Sequence, residues 1–178
     1  MRTRLRRATI ADLEQLQVVS VLTFFNSYKS DADVLDMAIY TQHELNLSHL
    51  KNELADEDNE FYLIEDLDEH VILAYTKLTR TPEFEGVRPQ DGNELLEISR
   101  LYTTRGFAGH GLGKQLLQHA EKRAQELGIQ ELVLCAWKFN FGGLKFYKRE
   151  GFVTVKEMDY PLGYELRPCP VMYKHLWS

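Results

Sequence analysis

The segment of residues 109–114, which reads Gly-His-Gly-Leu-Gly-Lys, stands between a predicted strand and a predicted helix. Glycine lets the backbone approach a ligand closely, so successive amide groups here can point at one anion. The N-terminus of the following helix adds positive potential. These features predict a pyrophosphate site, and a glycine-rich turn without a ligand is the alternative. The residues concerned are Gly109, His110, Gly111, Leu112, Gly113 and Lys114.

Spacing distinguishes this segment from two other phosphate-binding motifs. A Walker A loop has Gly, four residues and then Gly-Lys-Ser/Thr, whereas Ala108 and Gln115 stand here at the first and last positions. A dinucleotide fingerprint has Gly-x-Gly-x-x-Gly directly after the first strand of a nucleotide-binding unit. The three glycines here alternate and lie far along the chain. The segment therefore matches neither motif.

The elements around the glycine segment must hold it in place. The pattern predicts a strand over residues 95–103 and a long helix over 111–127, with its apolar positions on one face and Gly128 after its end. A continuous apolar run at 132–137 is typical of a buried strand. A shorter helix is predicted over 140–149, ending at Gly151.

The remaining segments complete a mixed sheet. A strand at 5–8 leads to a helix that Thr9 and Asp12 start as a capping box and that ends near Tyr28. A second helical region, with a break, is predicted over 31–55, and strands at 61–64 and 71–78 form a hairpin. A loop is predicted over 81–93, and the last two strands are predicted at 152–155 and 171–176. We expect an α/β (α+β) fold with helices on both faces of the sheet, in one domain of residues 1–178.

Composition narrows the class of protein. The net charge is −6, which disfavours nucleic acid and anionic membranes as partners. The acidic clusters could attract a cationic small molecule or be solvated surface. No apolar run reaches the roughly 20 residues that span a bilayer, so we expect a cytoplasmic protein. The two cysteines and six histidines have no ligand spacing, which predicts reduced thiols and no metal.

Two motifs in this order resemble the GCN5-related N-acetyltransferase (GNAT) superfamily. Ala108-Gly109-His110-Gly111-Leu112-Gly113 is similar to its pyrophosphate loop, Gln/Arg-x-x-Gly-x-Gly/Ala, although the long polar side chain is missing at Ala108. Downstream, Asn140 is followed by Phe146-Tyr147 and by Gly151-Phe152, which resembles the family's asparagine and Phe-Tyr-x-x-x-Gly-Phe. The resemblance implies the GNAT fold, a mostly antiparallel sheet with splayed central strands, and transfer of an acetyl group from acetyl-CoA to an amine.

The resemblance also implies which residues bind the cofactor. The backbone of Leu101, Tyr102 and Thr103 pairs with the pantetheine arm, and the glycine loop takes the pyrophosphate. Asn140 can cap the following helix or bond the pantetheine. Tyr147 occupies the position of the general acid that protonates the departing thiolate; packing in the core is its alternative.

An alkyl amine is mostly protonated at neutral pH, with a pKa of about 10.4, so the reaction needs a base. Glu97, four residues before Leu101, is our candidate, acting directly or through water. Its alternative is a structural carboxylate paired with Arg100 or a neighbouring strand. We expect direct attack on the thioester rather than an acetylated Cys135, since a buried strand cysteine is usually packing.

The acceptor is the least determined part of the prediction. The run Leu96-Glu97-Ile98, the loop His-Gly-Leu-Gly-Lys at 110–114 and the Trp before Asn140 resemble bacterial spermidine/spermine acetyltransferases of the PaiA type, and the likeness covers most of the chain. It implies a polyamine acceptor; a protein N-terminus, an amino acid or an antibiotic amine are alternatives. Phe24 and Tyr28 could hold an alkyl-ammonium group or belong to the core, and the resemblance implies that Trp137 lines the acetyl site. A non-catalytic acetyl-CoA sensor is the competing class. The family also suggests a homodimer.

Overall fold

A computed structural model describes residues 1–81, 87 and 94–177. One seven-stranded sheet has the order β1-β2-β3-β4-β5-β7-β6 and is antiparallel except between β4 and β5. The strands are β1 (Thr3–Arg7), β2 (Asn59–Asp66), β3 (Val71–Thr81), β4 (Leu95–Thr103), β5 (Glu131–Cys135), β6 (Val153–Leu162) and β7 (Glu165–His175). The helices are a 3₁₀ turn (Ile10–Asp12), α1 (Leu13–Tyr28), α2 (Val34–Glu44), α3 (Leu47–Ala55), α4 (Leu112–Leu127) and α5 (Phe141–Arg149).

Alternation along β2 covers both faces of the sheet. Leu63 packs with Leu16 and Val19 of α1, whereas the next residue, Ile64, packs with Leu112 and Leu116 of α4. Successive strand side chains point to opposite faces, so each face receives its own helix. The predicted mixed sheet with helices on both faces is confirmed.

The helix boundaries follow capping groups that the sequence carries. Thr9 and Asp12 form the predicted capping box, with the Thr9 N–H donating to Asp12 Oδ2 at 2.8 Å, but it opens the 3₁₀ turn that precedes α1. Asp33 caps α2 and Asn46 caps α3, each accepting a backbone N–H at 2.8 Å. The break expected within residues 31–55 therefore lies at Asn46.

The closing hairpin is longer than predicted. Strands expected at 152–155 and 171–176 extend in the structure through β6 and β7 to a turn at Gly163. Pro168 and Pro170 lie within β7, where local pattern disfavours a strand. The Pro168 and Pro170 carbonyls accept hydrogen bonds from the backbone N–H groups of Lys138 and Ala136, respectively. Both bonds lie beyond Cys135, where the pairing of β5 with β7 ends, so the prolines remove no hydrogen bond from that pairing.

Two smaller differences concern strand ends and the loop. β5 ends at Cys135, two residues before the predicted end at Trp137. Most of the loop predicted at 81–93 lies outside the described residues. Within the described part of the chain, none of the helices has both the length and the apolar character needed to cross a bilayer.

Candidate active site

The two central strands diverge at Glu97. Their parallel pairing runs from Leu95 opposite Glu131 to Glu97 opposite Val133, while β4 continues to Thr103. This is the predicted splay, and two cavities meet at it. We call the one beside the glycine segment the loop groove and the one on the α1 side of β4 the inner cavity.

The loop groove has a volume of about 570 Å³. Its walls come from the end of β4, from the glycine segment that follows it within a few residues, and from α5, with Ser27 of α1 also lining it. It brings together nine residues predicted from the sequence: Leu101, Tyr102, Thr103, Gly109, Gly111, Gly113, Lys114, Asn140 and Tyr147.

The glycine segment adopts the conformation that its composition allows. Gly109 and Gly111 have φ of +83° and +80°, in the left-handed region that side chains disfavour, and Gly111 is the N-cap of α4. No heavy atom lies within 4 Å of an ideal Cβ at either position, so the space in front of this backbone is open. An anion could therefore approach the helix N-terminus closely.

His110 and Leu112 enter this site differently from their neighbours. The exposed His110 ring has Nδ1 at 3.3 Å from the Ala108 carbonyl oxygen, and the Leu112 side chain is buried against Leu116 and Ile64. Neither side chain lines the loop groove. If these two residues bind an anion, they do so through their backbone N–H groups.

Asn140 and Tyr147 lie on the α5 wall of the groove. The Gly143 N–H donates to Asn140 Oδ1 at 2.9 Å, so Asn140 caps α5 while lining the groove. Tyr147 packs edge-on against Phe146 and Phe152, with centroids at 5.2 and 5.7 Å. Burial raises the pKa of Tyr147 above its usual value, which keeps the phenol protonated. Tyr147 therefore packs in the core and also lines the loop groove.

The inner cavity, of about 260 Å³, depends on an irregularity in β4. Lys77 pairs with Arg100 and Leu78 with Ile98, so the register passes over Ser99. An extra residue of this kind changes which side chains share a face. As a result Glu97, Ser99, Arg100 and Tyr102 all line the same cavity.

Glu97 is not the partner of Arg100. The Arg100 guanidinium donates to both carboxylate oxygens of Glu53, at 2.7 and 3.2 Å, and the Lys77 ammonium also donates to Glu53. Burial raises the pKa of Glu97, while the charge of Lys77 and a hydrogen bond with Ser99 act in the opposite direction. A buried carboxylate with a raised pKa is suited to accept a proton near neutral pH.

The remaining predicted residues lie where helix α1 meets the opening. Tyr28 and Trp137 line the inner cavity, with ring centroids 5.2 Å apart. Phe24 does not line it: its side chain is 4% exposed and packs behind Tyr28 and Tyr40, at 4.8 and 4.5 Å. Its placement makes Phe24 a support for the two tyrosines rather than a contact for a ligand.

Tyr102 connects the two cavities. It lines both the loop groove and the inner cavity. Burial raises the pKa of the neighbouring Tyr28, and a hydrogen bond with Tyr102 acts in the opposite direction. Glu97 lies on the inner cavity and Tyr147 on the loop groove. A carboxyl group and a phenol thus line two cavities that have Tyr102 in common.

The sequence model of the acetyltransferase (GNAT) family matches residues 22–152. The chain belongs to this family. An uncharacterized N-acetyltransferase encoded in the pepI 3′ region of Lactobacillus delbrueckii subsp. lactis is 31% identical over 153 residues, which are 85% of each chain. The protein is therefore a GNAT acyltransferase.

Solved structures share the GNAT fold over nearly the whole chain. The PaiA N-acetyltransferase of Thermoplasma acidophilum, in complex with coenzyme A, superimposes with a TM-score of 0.79 at 22% identity, covering 98% of this chain and 99% of that one. A GCN5-related N-acetyltransferase structure from Rhodopseudomonas palustris has a TM-score of 0.77 at 15% identity, with 99% and 97% covered. At sequence identities this low, the structural similarity shows a shared fold only.

Sequence reasoning missed much of the inner cavity of this GNAT protein. The residues concerned are Tyr40, Glu44, Glu53, Lys77, Thr79, Ser99, Arg100, Tyr160 and Cys169. One signal was present, since Arg100 interrupts a mostly apolar strand and needs a partner once buried. Ser99 lies on β4 beside Arg100, and the others come from α2, α3, β3 and the closing hairpin, where no local motif distinguishes them. Among the described residues, no three His, Cys, Asp or Glu side chains gather as a metal site.

Proposed function

We propose that this GNAT protein transfers the acetyl group of acetyl-CoA directly onto a primary amine held in the inner cavity. The observation that carries the proposal is that Tyr102 lines both the loop groove, which lies beside the N-terminus of α4, and the inner cavity, which contains Glu97. One substrate can lie on each side of Tyr102 and meet at the splay.

The loop groove fits the cofactor. Open space lies in front of Gly109 and Gly111. Lys114 and Arg149 line the groove and share the single carboxylate of Glu150, at 3.9 and 3.5 Å, so one net positive charge remains at its walls. A pyrophosphate at a helix N-terminus with nearby cations is a favourable arrangement. The PaiA neighbour was solved with coenzyme A, which supports the same class of ligand here.

Glu97 and Tyr147 divide the proton transfers. Glu97 takes a proton from the incoming ammonium, directly or through water, and the neutral nitrogen then forms its bond to the thioester carbonyl carbon. The carbon–sulfur bond breaks, and Tyr147 donates its phenolic proton to the thiolate. The tyrosinate takes the second proton from the acetylated nitrogen, directly or through water, which restores the phenol, and Glu97 releases its proton to solvent. Both residues are present and face the cavities, which favours catalysis over a non-catalytic acetyl-CoA sensor.

A polyamine such as spermidine is the acceptor we propose. The sequence resemblance supports it, as does the carboxylate of Glu44 on the inner cavity, because Glu53 is already paired with Lys77 and Arg100. A protein N-terminus, an amino acid and an antibiotic amine are the competing acceptors. The expected homodimer and cytoplasmic location stay predictions.

Release of CoA from acetyl-CoA, measured against spermidine, a monoamine, amino acids, aminoglycosides and peptides, tests the proposal. For spermidine at saturating acetyl-CoA, kcat/KM should fall as salt rises, because the Debye length shortens from about 30 Å at 0.01 M to about 10 Å at 0.1 M. A monoamine should lose less. Spermidine no better than the monoamine would refute the polyamine acceptor alone, and no release with any amine would refute the acetyltransferase activity.

A further inference from the structure

The inner cavity opens outward into a second groove. This outer groove, of about 280 Å³, lies between α2 and the tip of the β6–β7 hairpin, and Ile39, His43, Pro161 and Gly163 line it. Tyr40, Glu44 and Tyr160 line both the inner cavity and the outer groove. These three residues, which we call the mouth, therefore form a passage from the neighbourhood of Glu97 to the surface.

Both walls of the passage are fixed to each other. The Tyr164 N–H at the hairpin tip donates to Asp36 Oδ1 of α2 at 2.7 Å. Gly163 approaches α2 so closely that an ideal Cβ would lie 2.5 Å from Asp36 Cα. The outer groove is thus built by a specific tertiary contact, and an extended molecule could occupy it without first ordering a loop.

Charge is distributed unevenly along the passage. Among the described residues that line the inner cavity, two are cations, Lys77 and Arg100, and both pair with Glu53. Glu97 lines the same cavity, and the charges of Lys77 and Arg100 both act on its carboxyl group, so the two cations there already face two carboxyl groups. Glu44 remains at the mouth, with a side chain 44% exposed and with His49 Nε2 at 3.5 Å. The mouth is therefore the negative end of the passage.

Two aromatic rings accompany that carboxylate. Tyr40 and Tyr160 line both the inner cavity and the outer groove, on either side of the passage from α2 and β6. Aromatic faces beside a carboxylate favour an alkyl-ammonium group, through cation–π attraction added to charge.

We infer that the acceptor is an elongated amine whose reacting nitrogen lies near Glu97 and whose far end is a second ammonium group held at the mouth by Glu44. This inference rests on the proposed acetyltransferase activity and adds to it a specificity-determining residue. Glu44 acts on binding of the far end and has no part in the proton transfers, so its effect belongs in KM rather than kcat.

Three acceptors with the same five-carbon chain test the sign of the charge at the mouth. They are pentylamine, 1,5-diaminopentane and 5-aminopentanoate, each assayed for kcat and KM at saturating acetyl-CoA. We expect the diamine to have the highest kcat/KM and the amino acid the lowest. Glu44→Gln should lower the preference for the diamine over pentylamine by about two- to fivefold, the range of a partly exposed ion pair, through KM.

Glu126→Gln is the matched control, because the Glu126 side chain is 48% exposed and lies on α4, away from both cavities. It makes the same change in net charge, so it should leave the preference unchanged. Equal effects of the two substitutions would overturn the inference, since the cause would then be the overall field.

Two further results would contradict it. A wild-type preference for 5-aminopentanoate over pentylamine would mean that Lys77 and Arg100 dominate. Acetylation of amino acids, aminoglycosides or peptides in the panel, but neither of spermidine nor of any of the three test compounds, would exclude an elongated acceptor while leaving the acetyltransferase activity intact. If no amine at all is acetylated, the proposed function fails and this inference fails with it.

Discussion

The ring of Tyr28 lies 5.2 Å from that of Trp137, measured between centroids, with an angle of 32° between their planes. Tyr28 ends α1 and Trp137 follows β5, so this contact closes the α1 side of the opening between the central strands. The Arg167 guanidinium lies 5.1 Å from the Trp137 ring and holds it from the other direction. Residues 109 positions apart in the chain thus form one wall of the inner cavity.

Gly111→Asp should weaken acetyl-CoA binding by at least tenfold. Two like charges about 5 Å apart at an effective dielectric constant of about 20 repel by about 3 kcal/mol, and the carboxylate would face the proposed pyrophosphate. Titration calorimetry on the folded variant measures the affinity.

Gly111→Ala is the control for that substitution. It shares the strain of a side chain at a φ of +80° but adds no charge. If both variants bind acetyl-CoA as tightly as the wild type, the glycine segment does not hold the pyrophosphate.

Tyr147→Phe should lower kcat by about a hundredfold, as expected for loss of a general acid, with little change in acetyl-CoA affinity. The ring contacts with Phe146 and Phe152 are kept. Pre-steady-state and steady-state rates of CoA release, together with the melting temperature, distinguish the roles. A near-normal kcat would leave Tyr147 with packing alone.

Glu97→Gln should lower kcat by about a hundredfold, because an amide cannot accept the proton. In the wild type, kcat at saturating acceptor should rise with pH as Glu97 ionises, at a pH above the usual carboxyl pKa of 4.5, since burial raises the pKa of this group. The variant should lack this rise.

Ser99→Ala provides a second measurement at the same site. The hydrogen bond with Ser99 lowers the pKa of Glu97, so its removal should move the rise in kcat to higher pH. A pH profile identical in the wild type, Glu97→Gln and Ser99→Ala would assign the base to another group.

Acid should destabilise the protein partly through Glu60. Burial opposes ionisation, but hydrogen bonds from Arg123 and Tyr62 lower the pKa of Glu60 from 4.5 to about 2. A depressed folded-state pKa means that this stabilisation is present above pH 4.5 and is lost as the pH falls towards 2. In Arg123→Met, the melting temperature should depend less on pH in this window.

Lys122→Met, at a 70% exposed neighbour on the same helix, is the control for the Glu60 measurement. It should keep the wild-type dependence of melting temperature on pH. The same slope in the Arg123 variant would show that the Glu60–Arg123 pair does not contribute to acid stability.

The sequence by itself determined the loop groove, because its chemistry is local. A glycine segment between a strand and a helix, and Asn140 followed by Tyr147 one short helix later, are each set by neighbours within a few residues. Hydrophobic periodicity likewise predicted α4 and β5 closely. It predicted the closing hairpin poorly, since Pro168 and Pro170 are read as strand breakers unless the end of β5 is known.

Only the tertiary structure decided the inner cavity and its mouth. Glu44, Glu53 and Lys77 come from three different elements, and whether Arg100 pairs with Glu97 or Glu53 depends on the extra residue at Ser99. Phe24 and Tyr28 lie one turn apart on the same helix, yet Phe24 is buried in the core and Tyr28 lines the inner cavity. The physical reason is that charge pairing and burial depend on distances between segments remote in the chain, which no local pattern specifies.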